Sequence, residues 1–314
     1  MNEIVLNDYY KECSLCPLNC KVDRTNGKVG ICGQTDQLKI AWVGLHKGEE
    51  PPISGSNGSG TIFFSGCSLQ CQHCQNLQIS RLKNPLGFPI SIDELVFLML
   101  DLQKEGSTNI NLVTATHFVP SVIKALEIAK QKGLTIPIVY NSGGFESVET
   151  LKLLEPYVDT YLIDLKTLDK RVAKKFCKTE KYIDVVKSAL FYLFGKSKAQ
   201  IIVRHLLFPG EFKATEEALR WFAKHGKKRA LLSLMVQFVD PLKQIENDIT
   251  EDDYDALIDL LVELKIEEGF VQELGDESVW LPDFTKENPF LDDFAKPLDS
   301  FNQLRSLQTS HLLK

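Results

Sequence analysis

The sequence predicts an α/β protein: a partial or full parallel β/α barrel with an N-terminal cysteine-rich extension and a C-terminal tail. Three observations lead there. Short apolar runs alternate with amphipathic stretches over residues 60–275, the pattern of parallel β/α units. The 314-residue length exceeds most single domains other than α/β barrels with an appendage. The eight cysteines fall in clusters rather than being spread through the chain. Residues 1–59 read as the extension and its linker, 60–275 as the barrel, and 276–314 as a tail that packs back over the barrel or shapes its channel.

Hydrophobic residues at 44% and charged residues at 25% are ordinary globular values. A net charge of −6 offers no electrostatic footprint for nucleic acid or an anionic membrane. No apolar run approaches the ~20 residues that span a bilayer. Residues 1–13 are polar and acidic, which predicts no signal peptide. Clustered cysteines then imply metal ligands in a reducing cytoplasm rather than disulfides.

The elements follow in order. Cys13, Cys16, Cys20 and Cys32 place four thiols within twenty residues. Such a set suits a closed tetrahedral zinc site or an auxiliary iron–sulfur cluster, the latter encouraged by Pro17 directly after a cysteine. Residues 38–60 form a linker in which His46, Glu49 and Glu50 stand out; the glutamates read as a solvated turn, with a barrel-lid or substrate contact as the alternative. Residues 54–60 are rich in glycine and serine and read as a loop. Residues 61–64 are a buried strand broken by Ser65 and Gly66. Cys67, Cys71 and Cys74 follow, separated by three residues and then two. Soft thiolates favour zinc or an iron–sulfur cluster. Three local ligands are one short of the usual four, so a cubane would keep one iron open to a small molecule.

Beyond the cysteines, helices are expected over residues 93–104 (capped by Ser91), 119–132, 147–154, 170–194, 215–225 and 252–267. Strands are expected over 109–116, 136–140, 160–165, 200–207, 230–239 and 269–274. Chemistry in such a barrel gathers at the C-terminal strand ends. There the sequence offers Thr114, Thr116 and His117; then Asn141, Ser142, Gly143 and Gly144; then Asp164 and Lys166; and then Arg204. Asp164 and Lys166, two apart on a strand, face the same side and read as an ion pair or as ligand contacts. Arg204 suits a carboxylate clamp, whereas His205 should face outward. Gln237 and Asp240 receive no role, and Cys177 reads as a core residue away from the other cysteines.

Cys67-x3-Cys71-x2-Cys74, with His73 before the third cysteine, resembles the motif of the radical S-adenosylmethionine (SAM) superfamily. Over nearly its whole length the chain is similar to uncharacterised homologues of pyruvate formate-lyase activating enzyme. The segments HKGEEPPISG, GSGTIFFSGC, CQNLQIS, THFVP, VYNSGG, IDLK, VRHLLFPG and WLPDF carry that similarity. The resemblance implies a TIM-like radical SAM barrel and a [4Fe–4S] cluster on Cys67, Cys71 and Cys74. It also implies an oxidoreductase that cleaves SAM reductively to a 5′-deoxyadenosyl radical, which abstracts hydrogen from a substrate. By the same resemblance, with the strand-end residues Thr114 and Thr116 added as candidates, His73, Asn141, Ser142, Gly143, Asp164, Lys166 and Arg204 hold the cofactor. A reductant such as flavodoxin or ferredoxin and a glycyl-radical enzyme are the implied partners. The chain departs from the family at Thr114-Ala115-Thr116, where relatives carry Gly-Gly-Glu, so the contact to the methionine amino group falls to the threonines. Radical modification of another peptide or small molecule, and a non-catalytic iron–sulfur electron-transfer or scaffold protein, are the alternatives.

Overall fold

The computed structural model describes residues 3–80, 85–275 and 281–312. Its strands form one ten-stranded sheet. Seven of them run parallel in the order β2 (Ser59–Phe64), β4 (Ile110–Val113), β5 (Ile138–Ser142), β6 (Thr160–Asp164), β7 (Gln200–Leu206), β8 (Leu231–Met235) and β9 (Gly269–Val271). The connections between them carry α4 (Ile92–Lys104), α5 (Val119–Gln131), α6 (Val148–Leu154), α7 (Lys170–Cys177), α8 (Lys181–Lys196), α9 (Phe212–His225) and α10 (Glu251–Glu263). Among the described residues the sheet path ends at β9 on one side, so the barrel is partial.

The helices begin where their sequences say they should. Ser91 accepts from the Glu94 amide while the Glu94 carboxylate takes the Ser91 amide, a complete capping box, and Thr250 and Asp253 repeat it on α10. Leu95, Leu98, Met99 and Leu102 then bury one stripe of α4 in the main core. The helices expected over 170–194 are α7 and α8, divided where Lys178 adopts a left-handed φ of 60° and ends α7.

Other expectations need correction. Residues 38–60 are not a plain linker: they hold β1 (Lys39–His46), antiparallel to β2, and a short turn of helix, α2 (Pro51–Ser54). Ser59 and Gly60, read as loop, are strand residues. The expected strand over 109–116 stops at Val113, since Thr114 turns at φ 60° and residues 116–118 coil into a 3₁₀ turn. The expected strand over 230–239 stops at Met235.

The tail runs along the open side of the barrel. Phe284 packs on Phe63, and Phe290 sits between Trp42 and His46 with ring centroids 5.2 and 4.6 Å away. β10 (Ala295–Pro297) then adds to β1, and α11 (Asp299–Leu312) follows. Trp280, grouped with this tail in the sequence reading, lies outside the described residues.

Candidate active site

One cavity of about 670 Å³ occupies the barrel, within the range of small-molecule and cofactor sites. Each parallel strand sends a residue into it: Phe63, Val113, Asn141, Asp164, Arg204, Ser233 and Phe270. The sheet therefore curls around this space, and Pro282 and Phe290 of the tail close its open side.

Cys67, Cys71 and Cys74 line the C-terminal mouth. Their loop is held tightly: the Cys67 amide donates to Cys32 O (3.1 Å), Gly66 N to Ile79 O (2.7 Å) and Gln72 N to Phe176 O (2.9 Å). Gly66 lies at φ +87°, and a Cβ there would stand 2.6 Å from Cys32 O, so only glycine passes. Burial pushes the Cys67 thiol up to about 12, with Cys71 and Cys74 adding to the effect. Burial and then Cys71 also raise Cys74. Three thiols that resist ionisation alone, and oppose one another's ionisation, fit a cationic iron–sulfur core that would stabilise all three as thiolates. His73 does face this cavity, with Nδ1 2.9 Å from Asp240 Oδ1 and its ring against Phe176. Asp240 also accepts from the amides of Leu242, Gln244 and Ile245. The aspartate without an assigned role thus fastens the cysteine loop to the segment after β8. Cys177 is buried as expected but is not remote: it hydrogen-bonds to Cys71, and that bond, ahead of burial, pushes the Cys71 thiol up.

Below the mouth lies a charged network. Asp164 accepts from Lys166 Nζ (2.7 Å) and Arg204 Nε (2.8 Å). Burial works to raise Asp164, but the two cations outweigh it and hold the carboxyl below its usual range. Arg204 also donates to Asn141 Oδ1 (2.8 Å) and stands 3.5 Å from Glu49. Its guanidinium, which also lines the cavity, is thus engaged by protein groups. Glu49, expected in a solvated turn, is buried beneath the barrel and accepts from Asn111 (3.1 Å) and Asn141 (3.4 Å). Burial raises its pKa against the pull of Arg204, and Glu50 behaves alike. β1 explains the reversal: it runs antiparallel to β2, returns the chain to the barrel's N-terminal end, and tucks the glutamates inside.

Glu146 escaped the sequence reading altogether. Its carboxylate lines the cavity and accepts from the hydroxyls of Thr116 (2.6 Å), Ser142 and Tyr140 (3.2 Å). Burial raises its pKa to about 7 against those three donors. Thr116 and Ser142, read as cofactor contacts, therefore hold this carboxylate at the end of β4, where relatives carry their glutamate. Nothing in a lone glutamate four residues past a strand signals this. Thr114 also lines the cavity in a left-handed conformation that is costly for a β-branched residue. Of the two adjacent glycines, Gly144 is the one whose place demands glycine. A Cβ at Gly144 (φ +77°) would come within 2.2 Å of Asp164 O, whereas one at Gly143 makes ordinary contacts.

His205 and His117 lie outside the cavity lining. His205 faces outward as expected, bonded to Leu165 O and Thr215 Oγ1. His117 places Nε2 on Ser65 O, and its carbonyl accepts from Arg24. Of the N-terminal cysteines, Cys32 abuts the cysteine loop through the Cys67 amide, Cys32 and Cys20 Sγ both lie beside Gly30, and Cys13 and Cys16 are close enough to Cys32 to act on it electrostatically.

A family model described as the radical SAM superfamily matches residues 61–222, just over half of the chain. The chain belongs to the radical SAM superfamily. An uncharacterised protein of Methanocaldococcus jannaschii is 27% identical over 241 residues, covering 74% of this chain and 68% of that one. A radical SAM methyltransferase from Sphaerobacter thermophilus aligns with a TM-score of 0.54 at 14% identity, over 70% of this chain and 67% of its own. Methylornithine synthase aligns at 0.51 and 14%, over 78% and 79%. SuiB from Streptococcus suis, bound to SAM, aligns at 0.51 and 12%, over 67% of this chain and 48% of that one. The chain thus spans about half the length of SuiB. These structural likenesses establish the radical SAM fold. Membership implies a [4Fe–4S] cluster and SAM cleavage to a radical, and the half-buried thiols of Cys67, Cys71 and Cys74 fit that cluster.

Proposed function

We propose that this chain is an activating-enzyme-type radical SAM oxidoreductase that removes a hydrogen atom from the α-carbon of a glycine in a partner glycyl-radical enzyme. The observation that carries the reading is the sharing of one cavity by the Cys67, Cys71 and Cys74 mouth and the paired Asp164 and Lys166 of the IDLK segment. When bound, the cluster supplies one electron, drawn from a flavodoxin- or ferredoxin-type donor, that cleaves SAM to methionine and the radical that takes the hydrogen atom. The protein's part is positioning and exclusion of water. Lys166 would hold the SAM carboxylate. Glu146 would receive the ammonium group, presented by Thr116 and Ser142. Thr114, Asn141 and Gly143 would supply further polar and backbone contacts, and His73 would pack beside the cofactor. Arg204 would fix Asp164 and Asn141 from below.

The test is anaerobic reconstitution, reduction, and assay of 5′-deoxyadenosine formation with a candidate glycyl-radical enzyme carrying α-deuterated glycine. Deuterium in the 5′-deoxyadenosine supports the proposal. Unlabelled 5′-deoxyadenosine points to another peptide or small-molecule substrate. A protein that binds a cluster but forms no 5′-deoxyadenosine is an electron-transfer or scaffold protein instead. The four N-terminal thiols form a second metal site, zinc or iron–sulfur, within this proposal.

A further inference from the structure

Helix α7 and its C-cap carry Lys170, Arg171, Lys174, Lys175 and Lys178 with no acidic residue among them, in a chain whose net charge is −6. All five are exposed, while Val172, Ala173, Phe176 and Cys177 bury the opposite face. This pattern works against the helix itself. Lys170 and Arg171 occupy the first turn, where the helix dipole disfavours cations. Lys170 and Lys174, Arg171 and Lys175, and Lys174 and Lys178 are like charges four residues apart, a spacing at which they repel. Glu211 relieves only part of this: it accepts from Arg171 Nη1 at 2.8 Å and stands 3.7 Å from Lys175 Nζ. Among the described residues no carboxylate pairs with Lys170, Lys174 or Lys178. A face that costs the helix stability calls for a purpose outside the helix.

The same helix backs the cysteine loop. Phe176 O accepts from the Gln72 amide at 2.9 Å, the Phe176 and His73 rings lie 5.6 Å apart, and Cys177 hydrogen-bonds to Cys71. On the outer side Lys175 Nζ stands 4.8 Å from the centre of the Phe176 ring. A single side chain, Phe176, thus separates the basic surface from the loop of Cys67, Cys71 and Cys74. Two positions before Gln72, Gln70 Nε2 donates to Ile31 O at 2.8 Å. The Ile31 and Val29 side chains are 45% and 54% exposed. A bare apolar spot and a basic helix therefore flank one loop, and apolar contacts with a polar rim are what a protein-docking face needs.

We infer that the outer face of α7 is the docking surface for an acidic, one-electron donor protein. This rests on the proposed use of a flavodoxin- or ferredoxin-type donor and adds where it binds. Electron tunnelling falls exponentially with distance, so the donor has to dock where the outer surface comes close to the cysteine loop, and α7 is such a place. One electron leaves the donor's redox centre for the cluster, and no bond is made or broken in the step. Carboxylates around the donor's redox centre would meet Lys170, Lys174 and Lys178, which steer it and set its orientation.

The test uses the reconstituted full chain, with a flavodoxin of net negative charge as the probe. Binding of oxidised flavodoxin is read by calorimetric titration. Lys170→Glu with Lys174→Glu should weaken it by at least about tenfold at low salt, and added salt should weaken wild-type binding. The rate at which flavodoxin hydroquinone reduces the cluster, followed by the cluster's visible absorbance, should fall in parallel. Photoreduction by a small neutral deazaflavin should match wild type. Lys224→Glu with Lys228→Glu makes the same charge change ahead of β8, at the N-terminal end of the strands, and should leave donor binding near wild type. Unchanged binding in the α7 variant, or equal weakening in both variants, overturns the inference. Failed photoreduction in the α7 variant overturns it too, because the helix would then be a structural support of the cluster. Deuterium transfer from the partner enzyme lost while donor binding stays intact would assign the face to the substrate protein instead. Binding and cluster reduction are read without SAM or a glycyl-radical enzyme, so the result is independent of whether glycine is the target.

Discussion

Glu146→Gln is the perturbation that tests the buried carboxylate most directly. The Glu146 pKa in the fold is about 7 against an ordinary 4.5, because burial outweighs three hydroxyl donors. A raised pKa means that the native state holds a proton the unfolded chain has released. The stability this contributes is present below pH 4.5 and is lost as pH rises through 7. Between pH 5 and pH 8 the loss integrates to about 2.5 kcal/mol. The wild-type profile alone would not reveal it, because buried His46 and His205, each lowered to about 4, and His117, lowered to about 3, slope the other way. Their depressed values add stability above the ordinary histidine pKa and remove it as pH falls. The difference between variant and wild type isolates Glu146. Glutamine keeps a carbonyl for Thr116 and Ser142, and Tyr140 can turn its hydroxyl toward Thr116, 3.3 Å away. Urea unfolding of the metal-free proteins at pH 5, 6, 7 and 8 should therefore show the variant gaining on wild type by about 2.5 kcal/mol across the series. A constant difference at every pH would refute the raised pKa and with it the buried setting of this carboxylate.

Arg204→Ala should destabilise the fold by about 3–5 kcal/mol, because Asp164 and Glu49 lose their shared cation inside the barrel. Chemical denaturation of the purified variant measures this, and combining it with Glu49→Gln should recover part of the loss. Gly144→Ala drives a Cβ against the Asp164 carbonyl at a left-handed φ. A loss of more than about 1–3 kcal/mol is expected, together with weaker SAM binding by equilibrium dialysis, whereas Gly143→Ala should leave stability nearly unchanged. Asp240→Ala removes the carboxylate that accepts from three backbone amides and partners His73. Faster limited proteolysis near residues 240–250 and a cluster lost sooner to chelators should follow.

Much of the scaffold is legible in local sequence. Apolar runs, Ser91 and Thr250 caps, and the three-cysteine loop are written in residues next to one another, and short-range periodicity reports them. Misreadings fall where distant segments meet. Thr114 and Lys178 take left-handed backbones that propensity does not announce, so strand and helix ends shift. Cys177 meets Cys71 across roughly a hundred positions, and Arg204 engages groups from three other segments, so spacing rules are silent about both.

By itself the sequence determined the alternating β/α architecture, the three-cysteine motif and the superfamily, because each depends on neighbours in the chain. Only the tertiary structure decided where the isolated carboxylates go. β1 doubles back antiparallel to β2 and carries Glu49 beneath the barrel, while Thr116, Ser142 and Tyr140 draw Glu146 to the strand end that lacks its own glutamate. A single glutamate looks alike in solvent and in a core. Its burial, its partners and its pKa are properties of the surroundings that the folded chain brings to it.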